Sequence, residues 1–182
     1  MLGNGFSRAL RDDIFSYQAL FDQADFANLS AQAKQAFADL HTTDFEAVMR
    51  ACAAPRRDDP GTWISEEFVE VYTLLHRHGF AHSVEAWRDG LLVGGLYGVS
   101  IGGAFMGESM FSRETDASKV CLAGLVERLQ TRGFVLHDVQ FLTPHLHAMG
   151  ACEIRRADYE RRLGAAVAMD CTFGTSEVGE SR

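Results

Sequence analysis

Residues 81–88 and 91–99 are two extended, largely apolar runs joined by Asp89-Gly90. A two-residue Asp-Gly connection adopts the left-handed backbone that suits the twist of an antiparallel pair, so it specifies a hairpin. A third strand is predicted over 104–111, which extends the hairpin into a meander. The run 91–107 is the nearest approach to a membrane span, but six glycines and a serine interrupt it and polar residues flank it closely. It reads as a glycine-rich hairpin.

Helices are predicted around this meander. Residues 6–21 and 30–41 carry apolar side chains at spacings near three and four and are expected to form two amphipathic helices. A helix over 44–54 follows, with Thr43 as N-cap and Pro55 as its stop, since proline cannot donate the next backbone bond. Ser65-Glu66-Glu67 opens another helix that runs to His78 and leaves through Gly79. Residues 116–132 are expected to be helical and 134–141 a strand. A short helix begins at Thr143-Pro144, a strand is expected over 152–155, and a last helix over 157–163. This order describes an α/β (α+β) fold, a sheet covered by helices. Residues 164–182, rich in small residues, Gly, Ser and Glu, are expected to form a flexible tail.

The chain of 182 residues is 47% hydrophobic, enough for one domain with a substantial core. A formal net charge of -8 excludes a protein whose whole surface holds nucleic acid, because neutralising phosphates needs clustered Lys and Arg. Any such contact is local, at Arg56-Arg57, at Arg113 with Lys119, or at Arg155-Arg156 with Arg161-Arg162; each also reads as a solvated helix or loop face. The four cysteines form no C-x-x-C pair and are read as reduced thiols of a cytoplasmic protein. No secretion signal is recognised at the N-terminus. His76 and His78, like His145 and His147, are two apart on predicted helices and diverge, so no metal site is expected.

One group of motifs goes further. Cys52-Ala53 with Pro55-Arg56, Thr62-Trp63-Ile64, Leu75-His76 with Gly79, residues 81–87 (AHSVEAW) and 92–99 (LVGGLYGV) are followed by Gly107-Glu108-Ser109-Met110-Phe111-Ser112, Ala117-Ser118-Lys119, Asp138-Val139-Gln140, His145-Leu146 and Gly150-Ala151. In this order they resemble the catalytic domain of leucyl/phenylalanyl-tRNA-protein transferases over residues 44–163. A Trp-Trp-Ser-Pro-like segment that the family carries further toward its N-terminus has no counterpart in residues 1–44. Residues 1–43 are therefore expected to be a divergent helical segment preceding the transferase domain. The resemblance implies an acetyltransferase-like sheet.

It also implies a reaction. An aminoacyl group (Leu, Phe or Met) moves from the 3' end of aminoacyl-tRNA to the α-amino group of a protein beginning with Arg or Lys, which marks that protein for degradation. No cofactor beyond the aminoacyl-tRNA is implied. The ester is already activated, so the protein must hold a neutral amine against the carbonyl and supply donors to the developing negative oxygen.

By spacing, Asp138 and Gln140 are two apart on a predicted strand and share a face; the same pattern fits an Asp that accepts backbone bonds at a strand end. In the family the matching pair handles the amine proton. Glu108, among apolar neighbours, needs a partner. The resemblance assigns it to a positive substrate end, and a salt bridge to Lys119 or Arg113 is the alternative.

Leu96, Phe105, Met110, Leu122 and Leu125 match pocket-lining positions of the family. Apolar helix residues such as Leu122 and Leu125 also read as core. Trp63 reads as a wall of the site or a buried anchor. His137 stands where some family members carry an aliphatic residue; facing inward it makes the pocket more polar or supplies an alternative base. A related transferase with another donor or acceptor, and a non-catalytic module that recognises N-terminal residues, are competing readings. Residues 111–119 lack the glycines of an acyl-CoA pyrophosphate loop.

Overall fold

The structure is a computed structural model that describes residues 13–16, 40–41, 43–55 and 61–174. In chain order its elements are β1 (Asp13–Ser16), β2 (Leu40–His41), α1 (Phe45–Ala53), α2 (Glu66–Arg77), β3 (Ala81–Arg88), β4 (Leu91–Ile101), β5 (Ala104–Ser112), α3 (Ala117–Thr131), β6 (Leu136–Asp138), α4 (Pro144–Ala148), β7 (Cys152–Arg155) and α5 (Arg156–Val167). The main sheet has the order β2-β3-β4-β5-β6, antiparallel except for the parallel pair β5 and β6, and β1 pairs separately with β7. The expected mixed α/β architecture is present.

The Asp89-Gly90 turn forms as predicted, with φ of 52° and 75°, and sets the register Arg88↔Leu91. In the first helices the structure differs from expectation. Where residues 6–21 and 30–41 were expected to be helical, Asp13–Ser16 and Leu40–His41 are strands, paired with β7 and β3. Their partners lie far away in sequence, so local periodicity does not reveal them. The remainder of both expected helices lies outside the described residues, as do Arg56 and Arg57.

Helices cover both faces of the sheet. On one face α3 buries Val120, Cys121, Leu122, Leu125, Val126 and Leu129 against Val84, Leu96 and Phe105. On the other, Phe45, Val48, Met49 and Cys52 of α1, at the spacing of an amphipathic helix, pack with Tyr97, and α5 packs on Ala104 and Leu136 through Ala166. The middle strand is thin where helices meet it. A Cβ on Gly94 would lie 2.6 Å from Ala117 Cβ, and one on Gly95 would lie 3.2 Å from Val48. The glycine pair lets α3 and α1 approach the same stretch of β4 from opposite sides.

A buried carboxylate ties α1 to the sheet. Glu85 of β3 is 0% exposed and accepts from Asp44 N at 2.9 Å, Thr43 N at 3.2 Å, Ser83 Oγ at 2.8 Å, Trp87 Nε1 at 3.2 Å and the Thr43 hydroxyl at 3.4 Å. Thr43 thus serves Glu85, and the N-cap of α1 is Asp44, which accepts from Ala47 N. Replacing Glu85 by Ala leaves these donors without their acceptor and is expected to cost on the order of 3 kcal/mol. The check is a lower urea midpoint at unchanged slope; an unchanged midpoint would show that α1 is held by apolar packing alone.

Candidate active site

One irregularity creates the site. Tyr97 pairs with Ser109 and Gly98 with Gly107, so Glu108 is an extra residue in β5, a β-bulge. The extra residue resets the alternation. Phe105 and Met110, five positions apart, both pack toward α3, while Phe111 packs with the α1 and α2 side. At the bulge the Glu108 carboxylate meets the phenol of Tyr72 from α2 and accepts from Gln140 Nε2 at 3.1 Å.

The neighbouring strand stops early. β6 pairs with Ala104 to Met106 only, because at Asp138 the chain turns: Gln140 adopts φ 65° and its N–H donates to Asp138 Oδ1 at 2.8 Å. This corrects two expectations. The strand predicted over 134–141 is Leu136–Asp138, and Gln140 lies beyond it instead of sharing a strand face with Asp138. An Asp side chain that captures the N–H two residues on competes with the extended ladder and ends it. The other oxygen, Asp138 Oδ2, accepts from Tyr159 of α5 at 2.6 Å.

The three polar residues singled out in the sequence therefore meet on the sheet face opposite α3, between α2 and α5. Their connections differ from those expected. The carboxylate that touches the Gln140 amide is Glu108, whereas Asp138 holds the Gln140 main chain. Both groups that hydrogen-bond Glu108 are neutral. Among the described residues no salt bridge joins Glu108 to Lys119 or Arg113, for Lys119 pairs with Asp116 at 2.5 Å and Arg113 donates to Leu92 O. Burial pushes the pKa of both carboxyl groups up, against the opposing effect of their hydrogen bonds. Each is a stronger base than an ordinary carboxylate.

The apolar candidates lie apart from this cluster. Leu96, Phe105, Leu122 and Leu125 are buried in the core beneath α3, with Met110 packed against them. His137, buried on β6 beside Phe105, also faces away from Asp138. Burial pushes its pKa down to about 3, which keeps it neutral. Gly107, next to the bulge, is packed closely on β6: a Cβ there would lie 3.3 Å from His137 Nε2. Trp63 lies on the Glu108 side, 46% exposed, with its ring edge-on to Phe68; Phe68 neighbours Tyr72.

Tyr72 and Tyr159 were not anticipated. Tyr72 falls on a helical apolar stripe that reads as core, and nothing in the local pattern of Tyr159 connects it with Asp138. The basic cluster at the start of α5 is largely matched by acids of that helix: Arg155 and Arg161 with Asp158, and Arg156 with Glu160. Among the described residues no cluster of His, Cys, Asp and Glu is arranged to hold a metal ion, and no helix is long and apolar enough to cross a membrane.

Comparison with known proteins agrees with the motifs. The family model described as leucyl/phenylalanyl-tRNA protein transferase matches residues 25–164, reaching further toward the N-terminus than the motifs do. Proteins named leucyl/phenylalanyl-tRNA--protein transferase are similar: that of Rubrobacter xylanophilus is 60% identical over 71% of this chain and 66% of its own length. Those of Herpetosiphon aurantiacus and Gloeobacter violaceus are 54% and 56% identical, over 77% and 73% of this chain and 71% and 67% of theirs. The chain thus spans about two thirds of the length of these relatives. With a family model matched over most of its residues and relatives above half identity, the chain belongs to the leucyl/phenylalanyl-tRNA protein transferase family, a family of aminoacyltransferases.

Proposed function

We propose that this chain transfers Leu, Phe or Met from aminoacyl-tRNA to the N-terminal amine of proteins that begin with Arg or Lys, marking them for degradation, in the cytoplasm. The observation that carries this reading is the joining of Glu108, Gln140 and Asp138 at one notch of the sheet, within a chain of this family. The antiparallel meander followed by the parallel β5-α3-β6 unit supports an acetyltransferase-like topology.

The chemistry balances without a covalent enzyme intermediate. The amine nitrogen forms a bond to the ester carbonyl carbon, the bond to the ribose oxygen breaks, and the amine proton ends on that ribose hydroxyl. Gln140, its Nε2 committed to Glu108, keeps its carbonyl oxygen to accept an N–H of the attacking amine. Asp138 retains one lone pair on each oxygen beside its two hydrogen bonds, and takes the proton before it passes to the leaving oxygen. Glu108 offers negative charge to a cationic substrate end. Trp63 is assigned as a wall of the notch, and Leu96, Phe105, Met110, Leu122, Leu125 and His137, which match pocket-lining positions of the family, as the apolar residues that select the aminoacyl side chain. A pocket of this kind separates side chains differing by one methylene by only about 1–3 kcal/mol, which suits a Leu, Met and Phe range.

The direct test uses labelled leucyl-tRNA and a peptide beginning with Arg. Asp138→Asn is expected to lower kcat/KM by about 10²–10⁴-fold; an unchanged rate would remove Asp138 from the reaction, and peptide binding without any transfer would mark the protein as a recognition module. The pH profile is a second check. Because burial raises the Asp138 pKa, the wild-type acid limb should lie above the ordinary carboxylate range, and Asp138→Asn should retain only the limb due to the substrate amine.

The same burial affects stability. A carboxyl whose folded pKa is raised binds more protons folded than unfolded, so its contribution to stability declines as pH rises from the ordinary carboxylate value through the folded one. Glu108→Gln should therefore have a higher urea midpoint than wild type at neutral pH, with the gain vanishing in acid where Glu108 is protonated. A gain that persists in acid would assign the difference to packing.

A further inference from the structure

Burial favours the protonated, idle form of the Asp138 carboxyl. Two hydrogen bonds oppose this. One, from Gln140 N to Oδ1, belongs to the turn that ends β6. The other comes from a different part of the chain, the phenol of Tyr159 on the last helix, which donates to Oδ2 at 2.6 Å. We infer that Tyr159 is a positioning residue of the transfer reaction: its phenol fixes the Asp138 carboxylate in one orientation and keeps it ionised as the base. This role rests on the proposed aminoacyl transfer.

The placement of Tyr159 is enforced from both ends of α5. The helix starts directly after β7, which is held by β1 through the pairs Asp13↔Arg155 and Ser16↔Cys152. Near its other end, Gly103 N donates to Ala166 O at 2.7 Å, and a Cβ on Gly102 would lie 2.6 Å from the same oxygen. Between these anchors Tyr159 and Leu163 pack on Ala104 and Leu136, which are 0% and 1% exposed. The ring is thus seated by apolar contact while its hydroxyl reaches the strand end.

The phenol is a dependable donor. Burial and the facing carboxylate both push its pKa up, so it holds its proton throughout the range in which Asp138 titrates. The titratable groups facing Asp138 among the described residues are Tyr159 from α5 and Glu108 from β5, with Tyr72 of α2 behind Glu108. The charge of Asp138 pushes the pKa of Glu108 further up. Tyr159 acts in the opposite direction, favouring the charged form of Asp138.

The test compares the wild-type chain with Tyr159→Phe, which keeps the ring and its packing. The first readout is the pH profile of kcat/KM for leucyl transfer to an Arg-initiated peptide. The second is the carboxyl ¹³C titration of Asp138 in aspartate-labelled protein, assigned by the Asp138→Asn spectrum, which needs no activity. Removing a hydrogen bond to a charged acceptor should move both the acid limb and the Asp138 titration upward by about one pH unit, a tenfold change in proton affinity. Leu163→Ala, which loosens the same helix without touching the phenol, should lower the melting temperature and leave the limb in place. An Asp138 titration unmoved in Tyr159→Phe overturns the inference, as does an equal shift in Leu163→Ala, which would assign the effect to helix packing. If the wild type transfers nothing, the proposed reaction fails, while the Asp138 titration still decides whether Tyr159 governs its ionisation.

Discussion

The structure turns on one inserted residue in β5. A regular strand would place Phe105 and Met110 on opposite faces, and the core beneath α3 would lose one of them. The bulge at Glu108 returns Met110 to the core and leaves a carboxylate at the point where the alternation breaks. Packing and chemistry are satisfied by the same irregularity. The sheet can be largely apolar on the α3 side, with His137 beside Phe105, and still present acid groups on its other side.

Local chemistry in the sequence was sufficient for much of this. The Asp89-Gly90 turn, Ser65 and Thr143 as N-caps, and the left-handed exits at Gly79 and Gly133 lie where residue-level rules place them. What local rules did not supply is long-range. Strands β1 and β2 exist because β7 and β3 offer them edges, and an amphipathic reading of their neighbourhoods points to helix instead. The Asp138 to Gln140 segment shows the same limit at small scale. Alternation predicts a shared strand face, but a carboxylate that can bond the N–H two residues ahead bends the chain out of the sheet. The residues of the candidate site were found through a family pattern; the contacts among them, Gln140 with Glu108 and Asp138 with Tyr159, required the fold.

Charge is managed in pairs along the described chain. Most arginines of α5 face acids one turn away, and Arg50 of α1 is shared between Glu46 and Glu66. Such exposed pairs contribute little to stability, and their effect is to blunt positive potential. In contrast, Glu85 and Asp138 are buried and Glu108 is half-buried, and the three carboxyl groups face neutral donors. For Glu108 and Asp138, burial and the hydrogen bonds that oppose it, not a counter-charge, set the direction of the shift. This makes the notch less sensitive to ionic strength than a site built on surface ion pairs.

The position of α5 late in the chain has a consequence for synthesis. Strands β3 to β5 form from contiguous residues and close with tight turns, so they can assemble while the rest of the protein is still being made. The Asp138 oxygen that meets Tyr159 has no such partner until residues 156–167 have emerged and docked on Ala104 and Leu136. A nascent chain carrying the complete meander therefore lacks the Tyr159 contact of the candidate site until α5 has docked.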